Sequence, residues 1–312
     1  MLDQMTHLFR LSKIVEAGSM RKASNDLNVT QPALSRSIAK LEERFGKNIL
    51  IRHSRGIEPT EFGKRLLSSV NRLSRHWELS EEDLMKSGEE LKGRLKILAG
   101  PFWRSIVLPS VLGKLHKKFP SLIFEMQRSV QGSSIDEIVE GRCDIMFGGV
   151  QTEDKLDQRL VQQKFTSFYD RIIARKEHPI FTQKKDSGTI AVNSVLKYPW
   201  ILYTEEPAYE MATIHGIIEK IGRVPDIRIE SESLIAVINL LQSNDYLCIL
   251  PEAAVRNLYG PQLTPLPIDL GRRNIISGAI YREEMHDWPP LKELLKICEK
   301  YFNLNKSNTK II

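Results

Sequence analysis

The 312-residue sequence predicts a multidomain protein, in which a small all-α module and one long helix precede an α/β part of two lobes. Three features predict this arrangement. Apolar residues recur at helical spacing in residues 1–63, and a stretch of about thirty residues without proline follows them. Beyond residue 93, apolar runs typical of strands alternate with helix-like segments.

The first module, residues 1–63, is predicted to contain three short helices and a hairpin. Gly18 ends the first helix and Ser19 caps the second, while Thr30 is a favourable N-cap for the third, with Pro32 in its first turn. The third helix has one apolar stripe that docks it on the other two, formed by Leu34, Ile38, Leu41 and Phe45.

The polar face of the third helix has a chemistry that suits DNA. A helix in the major groove needs short or forked hydrogen-bonding groups near its N-terminus, with cations beside them for phosphates. Gln31 suits an adenine edge and Arg36 suits a guanine edge or a phosphate, beside Thr30, Ser35 and Lys40. The alternative is a three-helix packing module with its polar residues in solvent, and the spacing alone leaves that alternative open.

The hairpin is predicted in the run NILIRHSRGIEPT, with its turn at Ser54, Arg55 and Gly56. It would form a basic wing, in which Arg52 and Arg55 follow the phosphate backbone or the minor groove. Residues 1–75 contain fourteen Lys and Arg against seven Asp and Glu, whereas residues 76–92 contain two against six. The basic excess suits an acidic partner such as DNA, or else forms a solvated basic face.

One long helix is predicted from Glu61 to Leu91. Its apolar residues repeat every seven positions, which predicts a helix-helix seam formed by Leu66, Val70, Leu73, Trp77 and Leu84. A helix of this length cannot bury such a seam in a small module, so we expect the same helix of a second chain to cover it. The alternative is that the seam packs against its own chain.

The remaining residues, 93–312, are predicted to form two lobes, each built from a βαβαβ series with a parallel sheet. The strand candidates are RLKILAG, LIFEMQ and CDIMFGG in the first series and PWILYT, DIRIES and DYLCIL in the second. The helix candidates lie at 106–119, 134–140, 209–221 and 234–241. The chain is expected to cross between lobes near 165–175 and 265–280, and a helix from Trp288 to Phe302 returns to the first lobe.

A ligand site is predicted in the cleft between the lobes, because open parallel sheets bind ligands at the carboxyl ends of their strands. The residues expected there are Phe102, Trp103, Arg104, Ser129, Gly148, Tyr203 and Ser231. Aromatic faces and one arginine suit a planar or anionic ligand. Alternatively, Phe102 and Trp103 simply fill the groove.

The sequence also argues against several other classes of protein. It contains no GxGxxG, GxxxxGK[ST] or GxSxG motif, which disfavours an enzyme, and no HExxH or CxxC motif, which disfavours a metal site or another bound cofactor. Cys143, Cys248 and Cys298 are expected to be buried apolar residues rather than redox sensors. The N-terminus does not resemble a secretory signal and no membrane span is evident, so we expect a cytoplasmic protein.

The run from Phe9 to Gly63 resembles the N-terminal domain of LysR-type transcriptional regulators of bacteria. The matching elements are EAGS at 16–19, Ala23, Leu27, Val29, QPALS at 31–35, Ile38, Leu41-Glu42, Gly46, Arg52, Gly56, Pro59-Thr60 and Gly63. The resemblance continues more weakly through Gly93-Arg94-Leu95, Leu108-Pro109, Phe119-Pro120, the run GRCDI at 141–145 and Leu250-Pro251. It therefore covers nearly the whole chain.

The resemblance implies a winged helix-turn-helix DNA-binding domain at 1–63 and a dimerisation helix at 64–92. It further implies a periplasmic-binding-protein-like effector domain at 93–312, with lobe I about 93–165 and 270–312 and lobe II about 166–269. It implies DNA contacts from six residues, Gln31, Pro32, Ser35, Arg36, Arg52 and Arg55. It also implies a homodimer or homotetramer that binds a promoter and a small-molecule effector. RNA polymerase is a further candidate partner. A solute-binding sensor without DNA binding is the alternative.

The sequence departs from the family pattern in three places. Ser24 and Ile51 replace the alanine and phenylalanine that are commoner there, which removes no contact residue. The loop Gly100-Pro101-Phe102-Trp103-Arg104 is bulky and cationic, where many relatives have small hydroxylated residues that hold an effector carboxylate. A simple carboxylate effector therefore does not follow from the resemblance.

Overall fold

The structure, a computed structural model, describes residues 2–53, 56–84, 91–129, 134–150, 156–183, 189–205, 219, 222–252, 262–268 and 274–308. The chain divides into two compact units. The first comprises Met1–Gly93 with Asp136–Cys143, and the second comprises Arg94–Ile135 with Asp144–Ile312. No helix in the described ranges combines the length and the apolar character that a membrane crossing requires.

The first unit contains the predicted helices and hairpin. Its helices are α1 (Leu2–Ala17), α2 (Met20–Asp26), α3 (Gln31–Phe45) and α4 (Glu61–Leu84), and its strands are β1 (Leu50–His53) and β2 (Gly56–Pro59). The two strands pair antiparallel, with Leu50 opposite Pro59 and His53 opposite Gly56. The wing predicted from the sequence is confirmed.

The ends of α2 and α3 form as their capping residues predict. The Ser19 hydroxyl accepts the Lys22 N–H at 3.2 Å, and the Thr30 hydroxyl accepts the Ala33 N–H at 3.3 Å. Gly46 ends α3 in the left-handed conformation, with a φ of 62° that favours glycine. Each helix boundary is therefore encoded locally.

The core of the first unit consists of residues from the three short helices and one residue just before β1, namely Leu11, Ile14, Ala23, Leu34, Ile38, Leu41 and Ile49. Phe45 was predicted to complete the α3 stripe, but it is exposed. It is the last residue of the helix, and its ring packs instead on Phe62 of α4, with centroids 5.5 Å apart. At Gly63, a Cβ atom would lie 2.2 Å from the Ile49 carbonyl oxygen, so only glycine permits this approach of α4 to the wing.

The long helix is described as far as Leu84. The predicted continuation through 85–90 lies outside the described residues, and Leu91 and Lys92 are not helical. The middle of α4 contacts the segment Asp136–Cys143, since the Arg72 Nη1 donates to the Val139 carbonyl at 3.4 Å. Those contacts place this segment in the first unit.

Lobe I of the second unit is built on β3 (Gly93–Ala99), β4 (Leu122–Arg128) and β5 (Ile145–Gly149). A π-helical turn, Trp103–Val107, leads from β3 into α5 (Leu108–Lys118), and the short α6 (Ser134–Val139) precedes β5. β3 and β5 are parallel, and β11 (Asn274–Arg282) then pairs antiparallel with β5. The C-terminal α8 (Pro289–Asn308) contacts α5, as predicted for a helix that returns to this lobe.

Lobe II contains β7 (Pro199–Tyr203) parallel to β8 (Asp226–Ser231), followed by α7 (Leu234–Ser243). β9 (Cys248–Pro251) and β10 (Leu263–Pro265) both pair antiparallel with β6 (Leu160–Arg175). A parallel bridge between Trp200 and Leu247 joins β7 to the start of β9. The helix predicted at 209–221 falls almost entirely outside the described residues.

β6 belongs to both lobes. Its first part pairs with β11 and its last part with β9 and β10, so the strand order is β10-β6-β11-β5-β3-β4 with β9 also on β6. The crossing predicted near 165–175 is therefore one continuous strand. The prediction of purely parallel lobes is wrong, because β11 pairs antiparallel with β5 and β6 in lobe I and β6 pairs antiparallel with β9 in lobe II.

Candidate functional site

The third helix separates its buried and exposed residues as a DNA-reading helix must. Leu34, Ser37, Ile38 and Leu41 are buried, whereas Thr30, Gln31, Pro32, Arg36 and Lys40 are exposed and Ser35 is half-buried. The N-terminal turn of α3 thus offers an amide, a hydroxyl and a guanidinium side by side to solvent. Thr30 has a second task there, because its hydroxyl already caps the helix.

Ser37 fixes α3 against α1, and the sequence reasoning missed it. Its hydroxyl donates to the Ala33 carbonyl at 3.0 Å and accepts from the Arg10 guanidinium at 2.9 Å. The His7 Nδ1 lies 3.1 Å from the same oxygen. The signal was available, since residue 37 has the spacing of the stripe between Leu34 and Leu41, although a serine is not apolar.

The wing lies next to α3 through a direct hydrogen bond. The N–H of Ile49, the residue before β1, donates to the Glu42 carboxylate of α3 at 2.8 Å. Arg52 is exposed on β1 opposite Ile57 of β2. Arg55, the other predicted wing contact, lies outside the described residues. The hairpin with the exposed Arg52 is therefore tied to α3 by a hydrogen bond.

The predicted seam on α4 is divided between two environments. Val70 is 1% exposed and Leu66 packs on the core of the first unit, so the first part of the helix covers its own chain. Leu73 and Trp77 are 46% and 57% exposed. The side chain of Leu84 lies outside the described residues. The alternative of packing against the same chain therefore holds for Leu66 and Val70.

Trp103 and Phe102 are core residues of lobe I and do not face the cleft. The Trp103 indole N–H donates to the Ser277 hydroxyl at 2.8 Å, and its ring packs on Phe147 and Phe302 with centroids 4.6 and 5.4 Å away. Phe102 is also buried. Their burial favours the alternative that both rings fill the groove, and their contact with a ligand stays a prediction.

Arg104 is the residue of this loop that reaches lobe II. Its Nη2 donates to the Glu205 Oε1, and the Tyr203 hydroxyl donates to the Glu205 Oε2. Tyr203 ends β7 and is buried, and its hydroxyl is held by Glu205. Glu205 was not predicted, although it follows a buried strand at its carboxyl end.

The remaining predicted cleft residues lie at strand ends but bond locally. The Ser129 hydroxyl lies 3.0 Å from the Ser134 hydroxyl, and the Gly148 carbonyl accepts from Ser277 at 2.9 Å. The Ser231 hydroxyl accepts the Ser233 N–H at 3.2 Å. Arg104 and Glu205, by contrast, bond to each other across the two lobes.

The three cysteines are buried, as the sequence predicted. Burial raises the pKa of the Cys248 and Cys298 thiols well above the ordinary value, which keeps them protonated and unreactive at neutral pH.

Comparison with known proteins identifies the same two parts. Residues 5–64 match the family described as bacterial regulatory helix-turn-helix protein, lysR family. Residues 88–303 match the family described as LysR substrate binding domain. The HTH-type transcriptional regulator TdcA of Escherichia coli (strain K12) is 22% identical over 309 residues, covering 98% of this chain and 95% of that protein.

Solved structures show the same fold over nearly the full length. Full-length LysG from Corynebacterium glutamicum, with bound effector Arg, has a TM-score of 0.70 at 14% identity and covers 95% of this chain and 98% of that one. Full-length OxyR from Pseudomonas aeruginosa has a TM-score of 0.66 at 16% identity and covers 94% of both chains. The chain therefore belongs to the LysR family of transcriptional regulators, which are not enzymes and which join a helix-turn-helix DNA-binding domain to an effector-binding domain of two lobes.

Proposed function

We propose that this regulator reads a promoter sequence with the N-terminal turns of α3, while an effector in the interlobe cleft changes its activity. The base contacts come from Gln31, Pro32, Ser35 and Arg36, and the phosphate contacts come from Lys40, Arg52 and Arg55. The observation that carries the proposal is the exposure of the polar groups of α3 opposite its buried stripe.

The proposed assembly is a homodimer through α4, and two such dimers form a tetramer. Leu73 and Trp77 support it, because large apolar side chains in one exposed stripe of a helix favour a partner surface. The corresponding domains are 1–63, 64–92 and 93–312, and the cytoplasm, where promoter DNA lies, is the proposed location. RNA polymerase at the same promoter is a further proposed partner.

Gel-shift titrations with Arg36→Ala test the reading of DNA. The variant is expected to bind its own promoter about 1–3 kcal/mol more weakly, with a smaller preference over unrelated DNA. Arg52→Ala is expected to weaken binding to all sequences alike and to reduce the salt dependence, since it loses a phosphate contact.

Arg44→Ala is the matched control, because it removes the same charge from the last turn of α3. Measurements at two salt concentrations separate specific from nonspecific binding. If Arg36→Ala kept the full preference of the wild type, or if Arg44→Ala lost as much of it, the proposed orientation of α3 on DNA would be wrong.

A further inference from the structure

An ion pair joins the two lobes at the carboxyl ends of their strands. Arg104 lies in the turn after β3 of lobe I, and Glu205 lies just beyond β7 of lobe II. The Glu205 side chain is 3% exposed and the Arg104 side chain 26%. The lobes therefore meet through opposite charges at the place where a ligand in the cleft would lie.

The two charges differ in how firmly they are held. The Glu205 carboxylate is fixed on its own lobe by the hydroxyl of Tyr203, a buried residue of the preceding strand. Arg104 extends a long side chain from the other lobe and retains some contact with water. If the lobes separated, Arg104 could regain water, whereas the carboxylate would keep the tyrosine hydroxyl, its hydrogen-bond partner within residues 189–205.

A ligand with a single charge cannot replace this contact. An anion on Arg104 would leave the Glu205 carboxylate without a cation, and a buried charge that loses its partner is strongly unfavourable. An amine on Glu205 would displace Arg104 and place two cations together. A ligand with both charges compensates each partner.

We infer that this cleft binds an α-amino acid, whose ammonium group donates to Glu205 and whose carboxylate accepts from Arg104. The forked donors of a guanidinium match a carboxylate, and an ammonium donates well to a fixed carboxylate. The amino acid enters between the two partners and leaves both charges neutralised. This inference rests on the proposed function, because it names the chemical class of the effector in that cleft.

A second ion pair between the lobes provides an internal comparison. The Nη1 atom of Arg128, at the end of β4, lies 3.8 Å from the Oε2 atom of Glu232, which follows β8. Their side chains are 50% and 73% exposed, so water screens both charges. Breaking this ion pair therefore costs little free energy. A variant of this pair therefore changes the charge near the cleft without removing the proposed contact.

The test is isothermal titration calorimetry of the full-length protein with each common L-amino acid. At least one is expected to bind, and its N-acetyl and amide derivatives, which lack the ammonium and the carboxylate respectively, are expected to bind at least roughly tenfold more weakly. Glu205→Gln is expected to weaken binding of the amino acid roughly tenfold to hundredfold. The same variant should change the weak binding of the N-acetyl derivative little. Arg104→Gln is expected to weaken binding of the amino acid in the same way but to change the weak binding of the amide derivative little. Glu232→Gln should bind the amino acid as tightly as the wild type does.

Two results would overturn the inference. One is that none of the amino acids binds, and the other is that the N-acetyl or amide derivative binds wild type as tightly as the amino acid itself. The comparison of derivatives needs no variant, so a misfolded Glu205→Gln protein would not prevent it. A parallel gel shift of the same protein separates the two proposals, since retained promoter preference without amino-acid binding refutes the inference and leaves DNA recognition standing.

Discussion

His178 is a buried histidine in lobe II whose ring is held by its neighbours. Its Nδ1 accepts the Ile180 N–H at 3.0 Å, and the ring packs edge-on against Tyr198 with centroids 4.5 Å apart. Burial lowers the pKa of His178 below its ordinary value of 6.5, and the opposing effect of Asp245 is smaller. The folded protein therefore holds this imidazole neutral at a pH where the unfolded chain protonates it.

This difference predicts a loss of stability in mild acid. The stabilisation is present above the ordinary pKa and is lost as the pH falls toward the lower folded value, because the unfolded state then binds the extra proton. From about pH 7.5 to about pH 5.5, wild type should lose up to about 1.4 kcal/mol more unfolding free energy than His178→Asn, because this range extends only about one pH unit below the ordinary pKa of the imidazole. Asparagine retains an acceptor near the position of Nδ1.

Urea unfolding at each pH measures this effect. His116→Asn is the matched control, because His116 is exposed on α5 and should follow the wild-type profile. Identical pH profiles for His178→Asn and wild type would show that the buried imidazole contributes nothing to acid sensitivity.

Single residues also show where sequence reasoning succeeds and fails at the cleft. Arg104 and Trp103 were both expected to meet a ligand, but Arg104 pairs with Glu205 of the other lobe and Trp103 is buried in lobe I. Both lie in the same turn after β3, yet Trp103 donates to Ser277 in lobe I whereas Arg104 donates to Glu205 in lobe II. Glu205 was missed because its partner lies 101 residues earlier in the chain, and no local pattern records such a contact.

Among the elements, α4 has the predicted seven-residue repeat of apolar residues, but these residues do not all pack against the same surface. The seven-residue spacing of apolar residues holds, but the turns up to Val70 lie over the core of their own unit. Leu73 and Trp77, one turn apart on the following part, are exposed. The sequence predicts the stripe, whereas the position at which it leaves its own core depends on how the helices pack.

Trp77→Glu is accordingly expected to weaken a homodimer. A large aromatic at the centre of a helix pair contributes about 2 kcal/mol or more, so the dissociation constant should rise at least roughly thirtyfold. Analytical ultracentrifugation over a range of protein concentrations measures it. His76→Glu introduces the same charge at the adjacent exposed position and should change the constant little. An unchanged dimer in Trp77→Glu would place the interface elsewhere.

Across the whole molecule, alternating strands and helices predicted two lobes, but not their mixed sheets. β6 pairs with β11, which lies about one hundred residues later, and with β9 and β10 of the other lobe. An apolar run shows that a strand is buried, but its partner and its direction depend on contacts between distant segments. The capped helices of the first unit, whose signals are local, were for the same reason predicted most closely.

The C-terminal helix of the effector domain packs against the start of the same domain. These contacts predict how much stability is lost when one of their side chains is truncated. Phe302 of α8 is buried against Trp103, which follows the first strand of the domain, and against Phe165 of β6, with centroids 5.4 and 6.1 Å apart. Phe302→Ala should therefore destabilise this domain by about 3–5 kcal/mol, because it leaves a cavity where three segments meet. Urea unfolding followed by tryptophan fluorescence measures the change, and Ile235→Ala, at a half-exposed position on α7, should cost much less. Equal losses in the two variants would mean that α8 does not secure the fold.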